Sequence, residues 1–408
     1  NYNFSKILFL FSSISYFVVD FVRIIFLSFS KNVNFNKKNT IIFLPEFENI
    51  NFQKEYLDKK YNYLYWIKNY LNIKNKIIFV HNNKKILNKN FDELEIKYVK
   101  FFLLNNLKIN ERFLFIFYVL QTFYHNLAHI IKGNFYFLYS LQNYYFAYCT
   151  LKFESKAPNF VFYSNSNCLV RPWWTFLVEN KNDKKVYTAY YSTNHFPFYS
   201  YENPFAGARL MTWYNYIFWT RDQMLWLEKI NHNFKEYSLV GYFPFFGKNV
   251  QFPKNKRIVS IFPVIPYEKK FLYHEFTSRH YYKPDISIKF LKDIILSLKD
   301  YDVDIYIKLK RDNLSLDNEC VKFINKLNND KNIKLINSDV SVISLIDQSD
   351  IVVSSPYSSP SLVADYHNKP SIFYDSSGSL EILEPSMKKI RLIKKIDELK
   401  NWFKNMLN

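Results

Sequence analysis

Two series of short apolar, β-rich runs alternate with helical segments along this chain, and the alternation limits the architectures that it can adopt. The first series occupies residues 41–44, 76–80, 159–164, 186–192 and 216–220. The second occupies residues 257–263, 304–310, 333–336, 351–355 and 371–374. Strands that alternate with helices form mostly parallel sheets with helices on their faces. The sequence therefore predicts an α/β fold.

Length and loop residues predict where two units meet. With 408 residues, the chain exceeds the size at which one hydrophobic core stops growing. The region between the two series contains Gly241, Pro244, Gly247 and Pro253. We therefore predict two Rossmann-like domains, residues 39–248 and 249–394, followed by a C-terminal helix over residues 395–408. The domains would face a central cleft, where ligands usually bind.

Two apolar segments raise the question of membrane contact. Residues 1–38 are predicted to form a hydrophobic or amphipathic helix, but Asp20 and Arg23 interrupt its apolar stretch, and a spanning helix needs about 20 apolar residues. A membrane-contacting helix and a helix buried on the domain both stay open for this segment. Residues 113–131 carry no charge but include four polar side chains, which favours a buried core helix over a membrane span.

The scarcity of glycine excludes the common phosphate-binding loops. Only five glycines are present, and no two of them are separated by a single residue. The GxGxxG fingerprint and the P-loop both need clustered glycines so that the backbone can approach phosphate closely. The three cysteines form no CxxC pair and the eight histidines show no ligand spacing, so we predict no metal and no bound cofactor.

The charge balance indicates an anionic partner. Lysine and arginine number 55 against 36 aspartates and glutamates, which gives a net charge of +19 at pH 7. Such an excess favours nucleic acid, anionic lipid or phosphorylated substrates. The basic residues are spread along the chain and match no nucleic-acid-binding module, so an anionic membrane surface fits better than a specific nucleic acid.

A serine-rich segment after the strand at 351–355 is the strongest candidate site. We call residues 354–361 the hydroxyl-rich turn; its hydroxyls belong to Ser354, Ser355, Ser358, Ser359 and Ser361. One such serine would serve to cap the helix that follows, and five exceed that need. Because a helix N-terminus presents free N–H groups to anions, hydroxyls beside it can add donors where glycine is absent. The turn therefore predicts a phosphate site.

The same turn carries a resemblance to a known family. Its Pro356-Tyr357-Ser358-Ser359 block resembles the Pro-Phe-Thr-Ser signature of the polysaccharide-biosynthesis PFTS-motif proteins, which look like GT-B glycosyltransferases of bacterial surface glycans. Further resembling blocks, in the same order, are Tyr163-Ser164-Asn165, Arg171-Pro172-Trp173, Glu179, Tyr190-Tyr191-Ser192-Thr193-Asn194, and Trp219 with Gln223. The resemblance covers residues 155–380. Tyrosine replaces phenylalanine and serine replaces threonine in the signature, and the ring and the hydroxyl are kept.

This resemblance implies a glycosyltransferase that takes a sugar from a nucleotide donor held by domain 249–394. The acceptor would be a glycan or lipid-linked glycan beside domain 39–248. The hydroxyl-rich turn is similar to the phosphate site of sialyltransferase-like and Kdo-transferase-like enzymes, which implies a CMP-activated acidic sugar, with UDP and GDP sugars as alternatives. We expect a metal-independent, inverting reaction in capsule or lipopolysaccharide biosynthesis, by a cytoplasmic enzyme peripheral to the inner membrane.

The carboxyl ends of the predicted strands select further site residues, because ligands of open α/β sheets lie there. In the second domain we expect Lys308, Lys310 and Tyr267 to bind the nucleotide or its phosphate together with the hydroxyl-rich turn. In the first domain we expect Glu46 or His195 to act as the general base that an inverting transfer needs.

The resembling blocks add the remaining candidates. Glu179 is a third candidate base, and Asn165 and Asn194 are candidate substrate-binding residues at strand ends. Arg171 could clamp an anionic group, since arginine presents a bidentate fork. A purely structural role stays open for each of these side chains.

Two other functions also stay open. A nucleotide-sugar epimerase on the same architecture would release its product without any acceptor. A non-enzymatic basic protein of glycan assembly, or a nucleic-acid-binding protein, would bind any polyanion in a salt-sensitive way and would show no preference among nucleotides.

Overall fold

A computed structural model of the chain shows strands and helices in alternating order. The residues that the structure describes are 11, 14–15, 18–19, 21–22, 25–26, 39–45, 62–81, 88–90, 93–99, 107–131, 147–150, 152, 158–164, 171–179, 184–189, 212–231, 235–242, 247–264, 266, 283–309, 317–356, 358–380 and 390–408.

An eight-stranded sheet forms the first unit. Its strands are β1 (Thr40–Leu44), β2 (Ile77–His81), β3 (Lys89–Asn90), β4 (Leu94–Tyr98), β5 (Phe160–Ser164), β6 (Lys185–Ala189), β7 (Asn215–Phe218) and β8 (Glu236–Leu239). Their order is β3-β4-β2-β1-β5-β6-β7-β8, and only β3 pairs antiparallel to its neighbour. The strand order reverses between β1 and β5, so a switch point lies at their carboxyl ends.

Helices cover both faces of this sheet. They are α1 (Tyr63–Tyr70), α2 (Ile109–Ile131), α3 (Trp174–Glu179) and α4 (Arg221–Asn231). Successive strand residues point to opposite faces, so Phe43 of β1 packs in the cluster that contains α2, α3 and α4. Its neighbours Ile42 and Leu44 pack in the cluster that contains α1. Both faces of the first sheet are therefore buried.

A six-stranded parallel sheet forms the second unit. Its strands are β9 (Arg257–Phe262), β10 (Val303–Lys308), β11 (Ile333–Ile336), β12 (Ile351–Ser354), β13 (Ser371–Tyr374) and β14 (Leu392–Ile393). Their order is β11-β10-β9-β12-β13-β14, which is the Rossmann order. The switch point of this sheet lies between β9 and β12.

Five helices belong to the second unit within the residues that the structure describes. They are α5 (Pro284–Leu298), α6 (Asn318–Leu327), α7 (Val342–Gln348), α8 (Ser359–Tyr366) and α9 (Ile396–Leu407). Side chains of Asp317 and Ser341 accept hydrogen bonds from first-turn amides of α6 and α7, which explains why these two helices begin there. Leu399, Trp402 and Phe403 of α9 pack in the core of the second sheet, so the terminal helix completes this unit.

The two parallel-sheet, Rossmann-like units confirm the fold class that the sequence predicts. Of residues 1–38, the structure describes nine between 11 and 26, each helical. No helix in the described part of the chain is long and apolar enough to cross a bilayer. The expectation that residues 113–131 form a buried core helix is only half right, because α2 buries one face and exposes the other.

A close backbone contact joins the segment between the sheets to the second unit. The backbone N–H of Lys248 donates to the carbonyl of Asp339 (2.7 Å), and the N–H of Ser341 donates to the carbonyl of Lys248 (2.8 Å). Gly247 permits this approach, because a Cβ atom there would lie 2.5 Å from Cα and 2.6 Å from N of Ser341. Neither backbone atom can move away as a side chain could.

We expect Gly247→Ala to lower the free energy of unfolding by about 3 kcal/mol, because the added methyl overpacks a backbone contact and separates its two hydrogen bonds. Urea denaturation measures the loss. Gly378→Ala is the matched control: its φ is +68°, but the nearest atom to a new Cβ lies at 3.8 Å. That variant should lose only about 1 kcal/mol of unfolding free energy, which is the cost of holding alanine in the left-handed backbone region. Equal losses in the two variants would show that the contact is not tight.

Candidate functional site

The carboxyl ends of β9 and β12 meet at the switch point of the second sheet, where the hydroxyl-rich turn begins. The backbone N–H of Ser355 donates to the carbonyl of Phe262 at the end of β9 (3.1 Å). The Ser355 hydroxyl accepts from the N–H of Val264 (3.0 Å). These two bonds hold the chain that leaves β9 against the turn that leaves β12. The turn therefore lies at the edge where open α/β sheets bind ligands.

Two of the five hydroxyls in the turn, those of Ser354 and Ser361, hold the helix that follows to the sheet. The hydroxyls of Ser354 and Ser361 lie 2.6 Å apart, and Ser361 donates to the carbonyl of Ile372 in β13 (2.8 Å). Both serines are fully buried. The expectation that they contact phosphate needs correction, because buried hydroxyls that bond to each other and to a strand cannot reach a ligand. They hold α8 against β12 and β13.

The start of α8 offers amides that no side chain caps. Ser358 is the N-cap residue, but its hydroxyl donates to the carbonyl of Ser355 (2.8 Å) and makes no capping bond. Ser359 follows as the first helical residue and is half-exposed. First-turn N–H groups of a helix need partners from outside the helix. Ser358 and Ser359 thus remain candidate phosphate-binding residues, and Ser355 positions the turn.

A second helix begins beside the same turn. Its N-cap residue, Lys283, makes no side-chain capping bond at the start of α5. One turn later, the hydroxyl of Ser287 is buried and has no hydrogen-bond partner among the described residues. A small cavity is lined by Ile286, Ser287, Phe290, Ser355, Pro356, Tyr374, Asp375 and Ser376. The first two turns of α5 and the Ser355-Pro356 part of the hydroxyl-rich turn therefore line one small cavity, three residues before α8 begins.

The sequence reasoning missed Ser287 and Ser376 in this cavity. Ser376 follows β13, and its hydroxyl donates to the carbonyl of Ile286 in the first turn of α5 (2.9 Å). Pro284 at the first helical position signals where α5 begins, because proline is favoured there. The sequence contains no signal that brings α5 beside the hydroxyl-rich turn, since that contact depends on the strand order.

Lys308 lies at the carboxyl end of β10, as expected, but it is buried. Its ammonium group donates to the carbonyl of Ser338 (2.9 Å). A buried ammonium is stable only with such partners. Lys308 thus supplies a fixed positive charge at this edge of the sheet, and its binding of phosphate stays a prediction.

Arg171 and Glu179 form a buried ion pair in the first unit. The Arg171 side chain is 0% exposed and that of Glu179 is 7% exposed. The guanidinium donates to a Glu179 carboxylate oxygen and to the hydroxyl of Thr175 (2.8 Å), and it lies 3.8 Å from the ring centre of Phe176. An arginine enclosed in this way cannot clamp a substrate anion, so that expectation is corrected.

Both oxygens of the Glu179 carboxylate accept hydrogen bonds within the protein. Its other oxygen accepts from the amide of Asn215 (2.6 Å) and from the N–H of Val186 (3.3 Å). Burial raises the pKa of Glu179, and the charge and hydrogen bond of Arg171 oppose that rise. A proton could reach this carboxylate only if the ion pair opened, which corrects its proposed role as general base. The pair joins α3 to β6 and β7.

Several predicted site residues lie outside the described part of the chain. They are Glu46, Asn165, Asn194, His195, Tyr267 and Lys310. Their roles remain predictions. In sequence, Glu46 follows β1 by two residues and Asn165 follows β5 directly, so both come after strands whose carboxyl ends form the switch point of the first sheet.

Comparison with known proteins identifies the family. A family model described as polysaccharide biosynthesis PFTS motif protein matches residues 129–403, more than half of the chain. No curated protein sequence matches the chain.

Solved structures are similar in fold at low sequence identity. A point variant of the wall teichoic acid polymerase TagF is 13% identical, with a TM-score of 0.50 over 98% of this chain and 88% of that chain. The alpha,alpha-trehalose 6-phosphate synthase of Burkholderia multivorans is 7% identical, with a TM-score of 0.47 over 91% of each chain. The lipopolysaccharide outer core galactosyltransferase WaaB is 12% identical, with a TM-score of 0.43 over 90% of each chain. The TagF likeness shows a GT-B-like fold.

We expect Arg171→Met to lower the free energy of unfolding by about 3 kcal/mol near pH 7, because it leaves the Glu179 carboxylate buried without its cation. Without Arg171 the folded-state pKa of Glu179 lies still higher, so the folded protein binds a proton more readily than the unfolded chain. The loss in unfolding free energy caused by Arg171→Met should therefore become smaller as the pH falls towards that pKa. Urea denaturation near pH 5 and pH 8 measures both effects.

The double variant Arg171→Met with Glu179→Gln serves as the control, since it removes both charges and should recover part of the lost stability. A fully stable Arg171→Met protein that has lost only transferase activity would show instead that this arginine contacts substrate.

Proposed function

Because the chain belongs to the polysaccharide biosynthesis PFTS motif protein family, we propose that it is a GT-B glycosyltransferase that transfers a sugar from a nucleotide donor to a bacterial surface glycan. The observation that carries the proposal is the polar cavity at the switch point of the second sheet. It is lined by Ile286 and Ser287 of α5 and by Ser355 and Pro356, which lead into α8. Neither helix is capped by a side chain.

The proposed donor site uses helix N-termini in place of a glycine loop. Backbone N–H groups and the positive end of the helix dipole stabilise an anion at such a position. Ser358 and Ser359 stand at the start of α8, and Ser287 presents an unpaired hydroxyl to the cavity. These groups would hold the phosphate of the donor and stabilise the negative charge that forms when the sugar departs.

We propose a CMP-activated acidic sugar as the donor, ahead of UDP and GDP sugars. The support is the similarity of the hydroxyl-rich turn to the phosphate sites of CMP-dependent enzymes, together with the chain's strong positive charge. Lys308 at the carboxyl end of β10 would attract either the phosphate or the sugar carboxylate. Lys310 and Tyr267 complete the proposed donor site.

The proposed reaction inverts the anomeric centre in one displacement. An acceptor hydroxyl attacks the anomeric carbon, and its proton passes to a general base of the first unit. The bond between that carbon and the phosphate oxygen breaks, and the electron pair stays with the nucleotide. Since Glu179 is held in an ion pair, Glu46 and His195 are the remaining candidates for the base. Charge stabilisation by helix N-termini and lysine would make the reaction independent of metal.

We propose that the acceptor is a lipid-linked glycan. Asn165 and Asn194 would contact its sugar hydroxyls at the carboxyl edge of the first sheet. We propose that the enzyme works in the cytoplasm at the inner membrane, where capsule or lipopolysaccharide precursors would be available. The net charge of +19 supports attraction to that anionic surface.

Thermal unfolding with CMP, UDP, GDP and their sugars tests the donor proposal. A nucleotide at about 100 times its dissociation constant stabilises the folded state by about 2.7 kcal/mol, so one nucleotide should raise the melting temperature above the others. We expect CMP or its sugar to give the largest shift. Uniform, salt-sensitive shifts with every polyanion would contradict an enzyme and favour a non-enzymatic basic protein.

Ser359→Asp separates ligand binding from stability. A carboxylate in the first turn of α8 should stabilise the free protein by about 0.5 kcal/mol through the helix dipole. The same charge repels phosphate, so the nucleotide-induced shift should be lost. Asn318→Asp is the matched control, since it places the same charge at the first position of α6. An undiminished shift in Ser359→Asp would place the phosphate elsewhere.

A further inference from the structure

Helix α2 exposes a continuous stripe of large apolar side chains. We define the outer α2 face as Ile109, Phe113, Phe117, Leu120 and Tyr124, which are 75%, 65%, 70%, 51% and 72% exposed. Their spacing of four, four, three and four residues puts them on one side of the helix. From first to last the stripe is about 22 Å long at 1.5 Å per residue. Apolar exposure of this extent marks an interaction surface.

The opposite side of α2 already anchors the helix to the protein. Phe115 and Val119 are fully buried in the cluster on one face of the first sheet. Tyr118 stacks on Tyr148, with ring centres 4.0 Å apart. The outer α2 face is therefore not needed to fold the helix onto the sheet, and its apolar character requires another explanation.

Residues near the N-terminus repeat this arrangement. Ile14, Phe21 and Ile25 pack against the same cluster as Phe115 and Val119. Exposed apolar residues of the same segment are Phe11, Val18, Val19, Val22 and Phe26. Two helical segments on the same face of the sheet thus each bury one apolar side and expose another.

A cation stands at one end of the outer α2 face. Lys108 directly precedes Ile109 and is exposed. The neighbouring acid, Glu111, accepts a hydrogen bond from the backbone N–H of Lys108, which caps the helix. An exposed apolar stripe with a lysine at its end, on a chain with a net charge of +19, matches a bilayer whose surface is anionic and whose interior is apolar.

A second copy of the chain fits this surface less well. Each copy carries a net charge of +19, so self-association brings like charges together. An anionic bilayer reverses the sign of that interaction and also receives the apolar stripe. Charge complementarity therefore favours lipid as the occupant.

We propose that the outer α2 face docks the protein on an anionic membrane, with Phe113 and Phe117 inserted at the boundary between headgroups and acyl chains. A helix that lies in the plane of the interface inserts its apolar side in this way. The outer α2 face would then be the surface that binds the membrane in the localisation proposed above, on which this inference rests. It concerns no residue of the donor site, so membrane docking and sugar transfer can fail independently.

Co-sedimentation of the full chain with vesicles tests this proposal without donor or acceptor. Phosphatidylcholine vesicles with about one-third phosphatidylglycerol should bind the protein, and phosphatidylcholine alone should bind it weakly. Phe113→Gln with Phe117→Gln should weaken binding to the anionic vesicles by at least about tenfold, because two large apolar groups no longer leave water. Both side chains are exposed, so the variant should keep the melting temperature of the wild type.

Leucines on two helices provide a matched pair. Leu120 on α2 and Leu296 on α5 are 51% and 53% exposed. Leu120→Gln should weaken vesicle binding, and Leu296→Gln should leave it unchanged. The proposal is overturned if the wild type binds no vesicles, or if the double phenylalanine variant binds like the wild type. It is also overturned if sedimentation velocity shows a dimer that this variant dissociates while vesicle binding is absent.

Discussion

The hydrogen bond between the buried hydroxyls of Ser354 and Ser361 is the contact on which the second unit's proposed donor site depends. Rossmann-type sheets commonly use glycine where the first helix must approach its strand closely. This chain has five glycines and none in the hydroxyl-rich turn. Two serines achieve a close approach here by bonding to each other, and Ser361 extends the contact to β13. The start of α8 is thereby fixed at the switch point.

Other residues of the resembling blocks also form internal bonds. Arg171 pairs with Glu179 across α3, and the side-chain oxygen of Gln223 accepts from the backbone N–H of Trp219 (3.0 Å). Both contacts are buried and fix the ends of strands and helices in the first unit. The residues by which the family is recognised from sequence therefore include many that maintain the fold. A residue that identifies the family is therefore not necessarily a residue that reacts with substrate.

The central strands of the second sheet could be predicted from sequence because β9 and β12 are largely apolar runs buried on both faces. Strands β4 and β8 could not. Strand β8 is exposed at most positions, and β4 alternates apolar residues with Glu95 and Lys97, so neither shows a continuous apolar run. The position of the hydroxyl-rich turn was predictable from topology. Which of its hydroxyls point inward was not, because that depends on the distance between α8 and β13.

Helix α2 shows why a sequence without charges can mislead. The absence of charge from residue 113 to 131 suggests burial on all sides, since an apolar helix is normally surrounded by protein or lipid. The sheet covers only the side that carries Phe115 and Val119. One helix cannot satisfy its second apolar side by packing on the same sheet, because that side points away from it. The anionic bilayer proposed to dock on the outer α2 face would supply the missing apolar neighbour, and it would do so without a helix that spans the membrane.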